Sequence, residues 1–491
     1  MRHCLACVFA AGIFAVLPGQ QVLLTGYGPV ANALTGNKVA HAGDLDGDGT
    51  TDFLVETPNV GNGRVDVVSG ANGSQRFLHN PGTTSFASLM FGCPDLNLDG
   101  RADIIVSRNG LLRAHSGSTL ALLWETTSPY VLATPIGDRD GDGRTDLAAI
   151  VSFGAELRVL RGSNGSVLQA WPLVDGFNGV MVSVGDLDGD GVPEVVRGGS
   201  NRIDVLRLGN PTLVLAINQS CLSLSVANFA GDARLEIVAG NAGNAVRILD
   251  ATNGSVLRTF LDVPGGDHAV IGDIDADGVP DLALRAQAVF PGSVEGARYV
   301  SGATGARLSE WPGHPQFRIA RLAALGDVNG DGFGDFVNGD TSSNAAGPSL
   351  NATGGWRVMS GKILAFRESK AVNCAQGPFQ PLIGKTPPVL GSTVLVVGQE
   401  APIGAVGIVA WSLQPSAPMS LGVAGCDAWF DLGGGHLLTT TATAPTWQFT
   451  FPLPLIPQLA GVHVAMQAFY APSSTPIGLD LTNGIWSRLG Y

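Results

Sequence analysis

The most constraining feature of the sequence is a nine-residue stretch, first met as Asp44-Leu45-Asp46-Gly47-Asp48-Gly49-Thr50-Thr51-Asp52. Acids stand at positions 1, 3, 5 and 9, and Gly at position 6. In a tight turn alternate side chains converge on one point, the carbonyl at position 7 adds an oxygen, and Gly permits the sharp bend. Carboxylates gathered that closely repel one another unless a cation lies among them. The stretch predicts a Ca²⁺ loop.

It recurs. After Asp44, Asp46, Asp48 and Asp52 come Asp95, Asn97, Asp99 and Asp103, then Asp138, Asp140, Asp142 and Asp146. Asp186, Asp188, Asp190 and Glu194 form the fourth set. Asp273, Asp275, Asp277 and Asp281 form the sixth, and Asp327, Asn329, Asp331 and Asp335 the seventh. The fifth copy, starting at Asn228, has Ala230 in place of the position-3 acid and Ala233 in place of the Gly. Six structural Ca²⁺ sites are therefore expected, with none at the fifth copy. The starts recur with a mean period of about 47 residues, which points to a solenoid, propeller or array.

Each loop is followed by a short β-type run such as Phe53-Leu54-Val55 or Ile104-Ile105-Val106. An alternating run follows (Arg64-Val65-Asp66-Val67-Val68), then a hairpin signal such as Ser69-Gly70-Ala71-Asn72-Gly73, then a last strand. With the strand before each loop this makes four antiparallel strands per repeat, so seven repeats predict an all-β, seven-bladed propeller. An EF-hand is excluded, since it needs a bidentate Glu at position 12 and flanking helices; that position holds Val55, Val106, Ala149, Arg197, Leu284 or Asn338 here. Aromatics recur on the expected fourth strand (Phe77, Trp124, Trp171, Phe260, Trp311, Phe366) and are expected to pack between blades.

Loop, strand order and Ser-Gly-x-Thr/Asn-Gly hairpin recurring together resemble the FG-GAP repeats of integrin α-subunit propellers and the related VCBS-type repeats of secreted bacterial proteins. The resemblance spans roughly residues 30–370. It implies a propeller with Ca²⁺ in the turn between the first two strands of each blade, and partners docking on the opposite face. Several copies lack the Phe-Gly start that names the repeat.

The net charge of −13 is explained by these loops, because outside them basic residues outnumber acids. No basic tract or aromatic-basic interleaving suggests a nucleic-acid partner. Residues 1–19 read as a secretory signal peptide, too short for a membrane span, and no later stretch is long and apolar enough for one. A secreted or cell-surface monomer is expected. Cys374 and Cys426 are a candidate disulfide, whereas Cys93 and Cys221 are expected to be small buried thiols. From residue 371 onward the chain is Pro- and Thr-rich and nearly uncharged. It predicts a small all-β module, sandwich-like, over residues 371–491, after a propeller over residues 20–370.

No Gly-x-Ser-x-Gly elbow, His-Glu-x-x-His helix or phosphate loop is present. The expected function is a non-catalytic binding or adhesion protein for an extracellular protein or glycan. The alternative is a polysaccharide lyase or hydrolase on a propeller scaffold. Two long connections, residues 286–297 and 339–355, fall on the rim opposite the loops and direct any partner to the sixth and seventh blades. His268 and His314 lie beside them and are candidate ligand-binding residues.

Overall fold

A computed structural model describes residues 22–79, 86–151, 156–173, 179–209, 213–232, 234–241, 243–275, 277–286, 296–311, 319–342 and 353–362. Beyond these it describes residues 366–369, 382–384, 390, 392–398, 406–413, 419–420, 427–428, 436–441, 447–455, 459, 462–471, 480–481 and 485–489. The expected signal peptide, His314, Cys374 and Cys426 lie outside the described residues, as do most of the two long connections. No helix among the described residues is long and apolar enough to cross a membrane.

The chain forms two compact units. The larger, mainly residues 20–363, is a β-propeller arrangement. Five of its sheets are four-stranded and antiparallel. One holds β2 (Val39–Gly43), β3 (Asp52–Thr57), β4 (Arg64–Val68) and β5 (Gln75–His79) in chain order. A seven-stranded sheet follows: β6 (Phe86–Cys93), β7 (Asp103–Arg108), β8 (Leu111–His115), β9 (Leu122–Pro135), β10 (Leu147–Val151), β11 (Glu156–Leu160) and β12 (Val167–Pro172). The next two sheets are β13 (Gly179–Gly185), β14 (Glu194–Gly199), β15 (Ile203–Arg207) and β16 (Leu213–Ile217), then β17 (Ser223–Ala227), β18 (Glu236–Asn241), β19 (Ala245–Leu249) and β20 (Val256–Leu261). After β21 (His268–Gly272), β22 (Asp281–Ala286), β23 (Gly296–Val300) and β24 (Arg307–Trp311) come β25 (Arg321–Gly326), β26 (Asp335–Asp340) and β27 (Gly355–Met359).

The fourth strand of that last sheet is β1 (Val22–Tyr27), whose Val22 pairs with Met359 and Tyr27 with Gly355. Sequence reasoning expected Phe366 on this strand. Instead β28 (Phe366–Ser369) pairs with a strand of the smaller unit. Contacts between β2 and β6, β6 and β9, β9 and β13, β13 and β17, β17 and β21, β21 and β25, and β25 and β2 close the first strands into a ring.

Position in the sheet explains sequence character. Second strands are flanked by strands on both edges and by neighbouring sheets on both faces. β3, β14, β18 and β26 are accordingly buried at every residue, with short apolar centres such as Phe53-Leu54-Val55 and Ile237-Val238-Ala239 between buried polar ends. The core lies between sheets: Phe53 and Val55 pack with Leu325, Val337, Trp356 and Val358, and Val196 and Val205 with Ile237 and Ala239. Trp356, fully buried, meets Phe53 edge-on at 5.0 Å. A Cβ at Gly26 would lie 2.3 Å from its ring, so the closing strand needs Gly there.

The outer-strand aromatics divide. Trp124 and Phe260 are buried, and the Trp124 indole N–H donates to the Gly162 carbonyl of the next repeat at 2.7 Å. Trp171 is half-buried. Phe77 does not pack between blades; it is 40% exposed, with the Arg64 guanidinium 4.3 Å above its ring. The side chains of Trp311 and Phe366 are outside the described residues.

In the smaller unit, β28 belongs to a sheet with β31 (Val406–Ser412), β34 (His436–Thr441), β36 (His463–Ala471), β37 (Asp480–Leu481) and β38 (Ile485–Arg488). A second sheet holds β29 (Leu382–Gly384), β30 (Thr393–Gly398) and β35 (Trp447–Pro452), and β32 (Met419–Ser420) pairs with β33 (Asp427–Ala428).

Candidate metal centres

Each acidic loop joins a first strand to a second. A Gly with positive φ (Gly43, Gly137, Gly185, Gly272, Gly326) immediately precedes position 1 in five copies, and the strand register slips there in four of them. Such a bulge bends the strand and re-aims the loop beyond it. The sequence carried this signal as a recurring Gly-Asp pair.

The loop then wraps around its first carboxylate. Asp44 accepts from the N–H groups of Gly47 (2.6 Å) and Gly49 (2.9 Å). Asp95, Asp138, Asp186 and Asp327 accept from the same two positions, and Asp273 accepts from Gly278 at 2.8 Å. Position 5 accepts from the N–H of position 7 in each, for instance Thr50 to Asp48 at 2.8 Å. Three carboxylates lie within 4.8 Å of one another in four loops: Asp44, Asp46 and Asp48; Asp138, Asp140 and Asp146; Asp186, Asp188 and Glu194; Asp273, Asp275 and Asp281. Loops two and seven have Asn97 and Asn329 at position 3, and each amide donates to the position-5 acid, Asp99 (3.2 Å) or Asp331 (3.3 Å).

These donors are all hard oxygens, without imidazole or thiolate. That set suits Ca²⁺ or Mg²⁺ rather than a transition metal, and a flexible loop with several carboxylates suits the larger ion. The residues fit the expected cation.

Position 9 has a second task. One Asp52 oxygen accepts from Leu45 N–H (3.0 Å) and the other from Gly70 N–H (3.0 Å) of the Ser-Gly hairpin. Asp103, Asp146, Asp281 and Asp335 repeat this with Leu96 and Gly117, Arg139 and Gly162, Ile274 and Gly302, and Val328 and Gly361. A Cβ at Gly70 would lie 2.0 Å from the Thr51 carbonyl oxygen, so no other residue brings its N–H that close. Where position 9 is Glu the hairpin bond is absent among the described residues. Glu194 reaches Leu187 N–H (2.7 Å), and Glu236 reaches Phe229 N–H (2.5 Å) and Ala230 N–H (3.1 Å). Sequence reasoning treated these acids only as ligands.

Burial is the main cause that pushes Asp52 and Asp335 up to about 6 and Asp281 up to about 7, against the lowering effect of their N–H donors. Asp275 is also raised to about 6 by burial and by Asp277 and Asp273. Asp138, fully exposed, is lowered by the N–H of Gly143.

Arginines tie the loops to one another. Arg144 Nε donates to Leu96 O of the preceding loop (2.8 Å) and Arg139 Nη1 to Gly191 O of the next (3.1 Å). In loop four Arg207 pairs with Asp188 and lies 3.7 Å from Asp190 and 3.8 Å from Glu194. Loop five keeps only Asp232 and Glu236 as acids, and Asn228 accepts from Gly231 N–H at 2.8 Å.

His268 is buried. Its Nδ1 lies 3.0 Å from the Gly266 carbonyl, which places the proton there, so Nε2 accepts from Ser225 Oγ at 2.8 Å. With both nitrogens engaged it is held away from any ligand, contrary to its expected role. Burial lowers its pKa. Cys93 and Cys221 are free, buried thiols, and burial pushes Cys221 up to about 12.

No curated protein matches the chain by sequence. In fold it is similar to two crystal structures of BBS1N in complex with ARL6DN, one soaked with lead and one with mercury. The first is 9% identical over 70% of this chain and 98% of that one, with a TM-score of 0.48; the second is 10% identical over 70% and 96%, at 0.47. Residues 138–197, from the third acidic loop through the second strand of the next repeat, match the FG-GAP-like repeat family. With its propeller arrangement and its recurring loops, the chain is an FG-GAP repeat propeller protein.

Proposed function

We propose that this is an exported, seven-bladed, Ca²⁺-stabilised propeller that acts as a non-catalytic binding module for an extracellular protein or glycan. The seven-stranded sheet counts as two blades that share β9, and the C-terminal strands form a sandwich-like attached module. Six loops take Ca²⁺, and residues 1–19 direct export. The observation that carries this reading is the convergence of three carboxylates within 4.8 Å in four loops of one repeated design. A site repeated around a ring stabilises the ring; a catalytic site is a single, non-repeating constellation. The loop acids are moreover committed to backbone N–H groups at positions 1 and 9, which argues against work as a proton-transferring pair.

The test is calorimetric titration of chelated protein with Ca²⁺, paired with thermal melts and a screen of glycans and matrix proteins. About six sites of Kd near 10⁻⁴–10⁻³ M are expected, as in extracellular modules. Binding to the folded state alone raises the melting temperature by mass action. Two or fewer sites, or a melt indifferent to chelator, would refute the metal assignment. Turnover of a polysaccharide would refute the non-catalytic one.

A further inference from the structure

On the rim away from the metal loops, three consecutive sheets bring together a polar cavity of about 230 Å³. Arg285 comes from the end of β22, Arg321 from the start of β25, Asp340, Thr341 and Ser342 from the end of β26, and Asn37 from the approach to β2. Its size suits one side chain rather than a drug-sized ligand, whose pockets start at about 300 Å³.

The key group is Arg321. Its side chain is 53% exposed and is fixed from one end only: Nη1 donates to both oxygens of Asp267 at 3.1 Å. Asp267 is itself held by Arg285 Nη1 at 2.9 Å, so one carboxylate anchors two guanidinium groups. Nε and Nη2 of Arg321 have no partner among the described residues. That edge of a guanidinium carries two parallel N–H donors, spaced to meet both oxygens of a carboxylate. Asp340, the acid in the wall, is buried and accepts from Ser342 N–H (2.8 Å) and Oγ (2.5 Å). Among the described residues the wall holds no aromatic ring on which a sugar could stack.

Resting on the binding-module reading above, we propose that this cavity is an acidic-peptide site, in which an Asp or Glu carboxylate of a protein partner docks on the Nε/Nη2 edge of Arg321. Asp267 is a positioning residue that presents the guanidinium. The site differs from the expected ligand-binding residue His268, which is buried.

The test is fluorescence anisotropy of labelled hexaglutamate against the full chain in saturating Ca²⁺, with hexaglutamine and a glucuronic-acid oligosaccharide as competitors. Hexaglutamate should bind and hexaglutamine should not displace it. Arg321→Ala, at an exposed position, should weaken binding about 10- to 100-fold, the value of a charge-assisted hydrogen-bond pair. Arg321→Lys keeps the charge but not the fork, and should recover only part. Equal affinity in Arg321→Ala, or no binding by protein whose Ca²⁺-dependent melt is intact, would overturn the site while leaving the calcium reading standing. Displacement by the oligosaccharide at lower concentration than by unlabelled hexaglutamate would overturn the peptide assignment in favour of a uronate.

Discussion

If the position-9 acids are staples as well as ligands, removing one should cost stability even when no metal is present. Asp103 is the cleanest case. It is wholly buried and accepts from Leu96 N–H at 2.7 Å and Gly117 N–H at 2.9 Å, which ties the loop to a hairpin of the same sheet. Hydrogen bonds to a charged group contribute roughly 1.5–3 kcal/mol each. Burial pushes the Asp103 carboxyl up, so part of that charge assistance is spent on desolvation. Asp103→Ala, which also strands two buried donors, should therefore destabilise by about 3–4 kcal/mol. Urea unfolding in excess chelator measures it. The comparison is Asp99→Ala, an exposed acid of the same loop, which should cost under about 1 kcal/mol in chelator and show its loss only when Ca²⁺ is supplied. Equal losses for the two variants in chelator would refute the separation of staple from ligand.

Trp124→Ala should cost about 3–5 kcal/mol because its ring is buried among side chains from both halves of the seven-stranded sheet, whereas Phe77→Ala, half outside the core, should cost less than about 1.5 kcal/mol; similar losses would undo the distinction. Arg207→Met removes a guanidinium that competes for the loop-four carboxylates and should tighten Ca²⁺ there roughly tenfold, read by calorimetry; unchanged affinity would show that Arg207 leaves the loop when the ion arrives. His268 is buried neutral with its pKa lowered, so the folded state resists the proton the unfolded state takes. Its contribution is complete above about pH 6.5 and falls away as the pH drops below it. Unfolding at pH 7.5 and 5.5 should differ less for His268→Gln than for the parent, and an unchanged difference would assign the pH dependence elsewhere.

The loops were legible because their chemistry is local: nine residues of one turn supply the carboxylates and the Gly that gathers them. Second strands were legible because burial on both faces leaves a short apolar centre directly after each acidic loop. Pairing between separated parts stayed hidden. The bond from position 9 to the hairpin Gly spans from 14 to 26 residues; its only trace is that Ser-Gly follows four of the five position-9 Asp residues (Arg161-Gly162 follows Asp146) and neither Glu194 nor Glu236. The closing strand was missed for the same reason. β1 and β28 are both short, and nothing local tells which completes the last sheet. His268 looked available because a lone His carries no mark of burial. Arg321 drew no notice, since its meaning comes from Asp267 and Arg285 on another sheet.

The pairing of Val22 with Met359 has a consequence for how the molecule forms. Most sheets pair neighbours in the chain and can assemble as each repeat is completed, with low contact order. The closing strand instead joins residues roughly 340 apart, a loop whose entropy costs about 5 kcal/mol beyond the constant term. Ring closure should thus be the last and slowest event, and until it occurs β27 presents a bare edge. An open ring with a free strand edge is a species inclined to pair with a second chain, so crowding during refolding should yield strand-exchanged dimers. Tethering the two partners directly, by a disulfide engineered between β1 and β27, should suppress them.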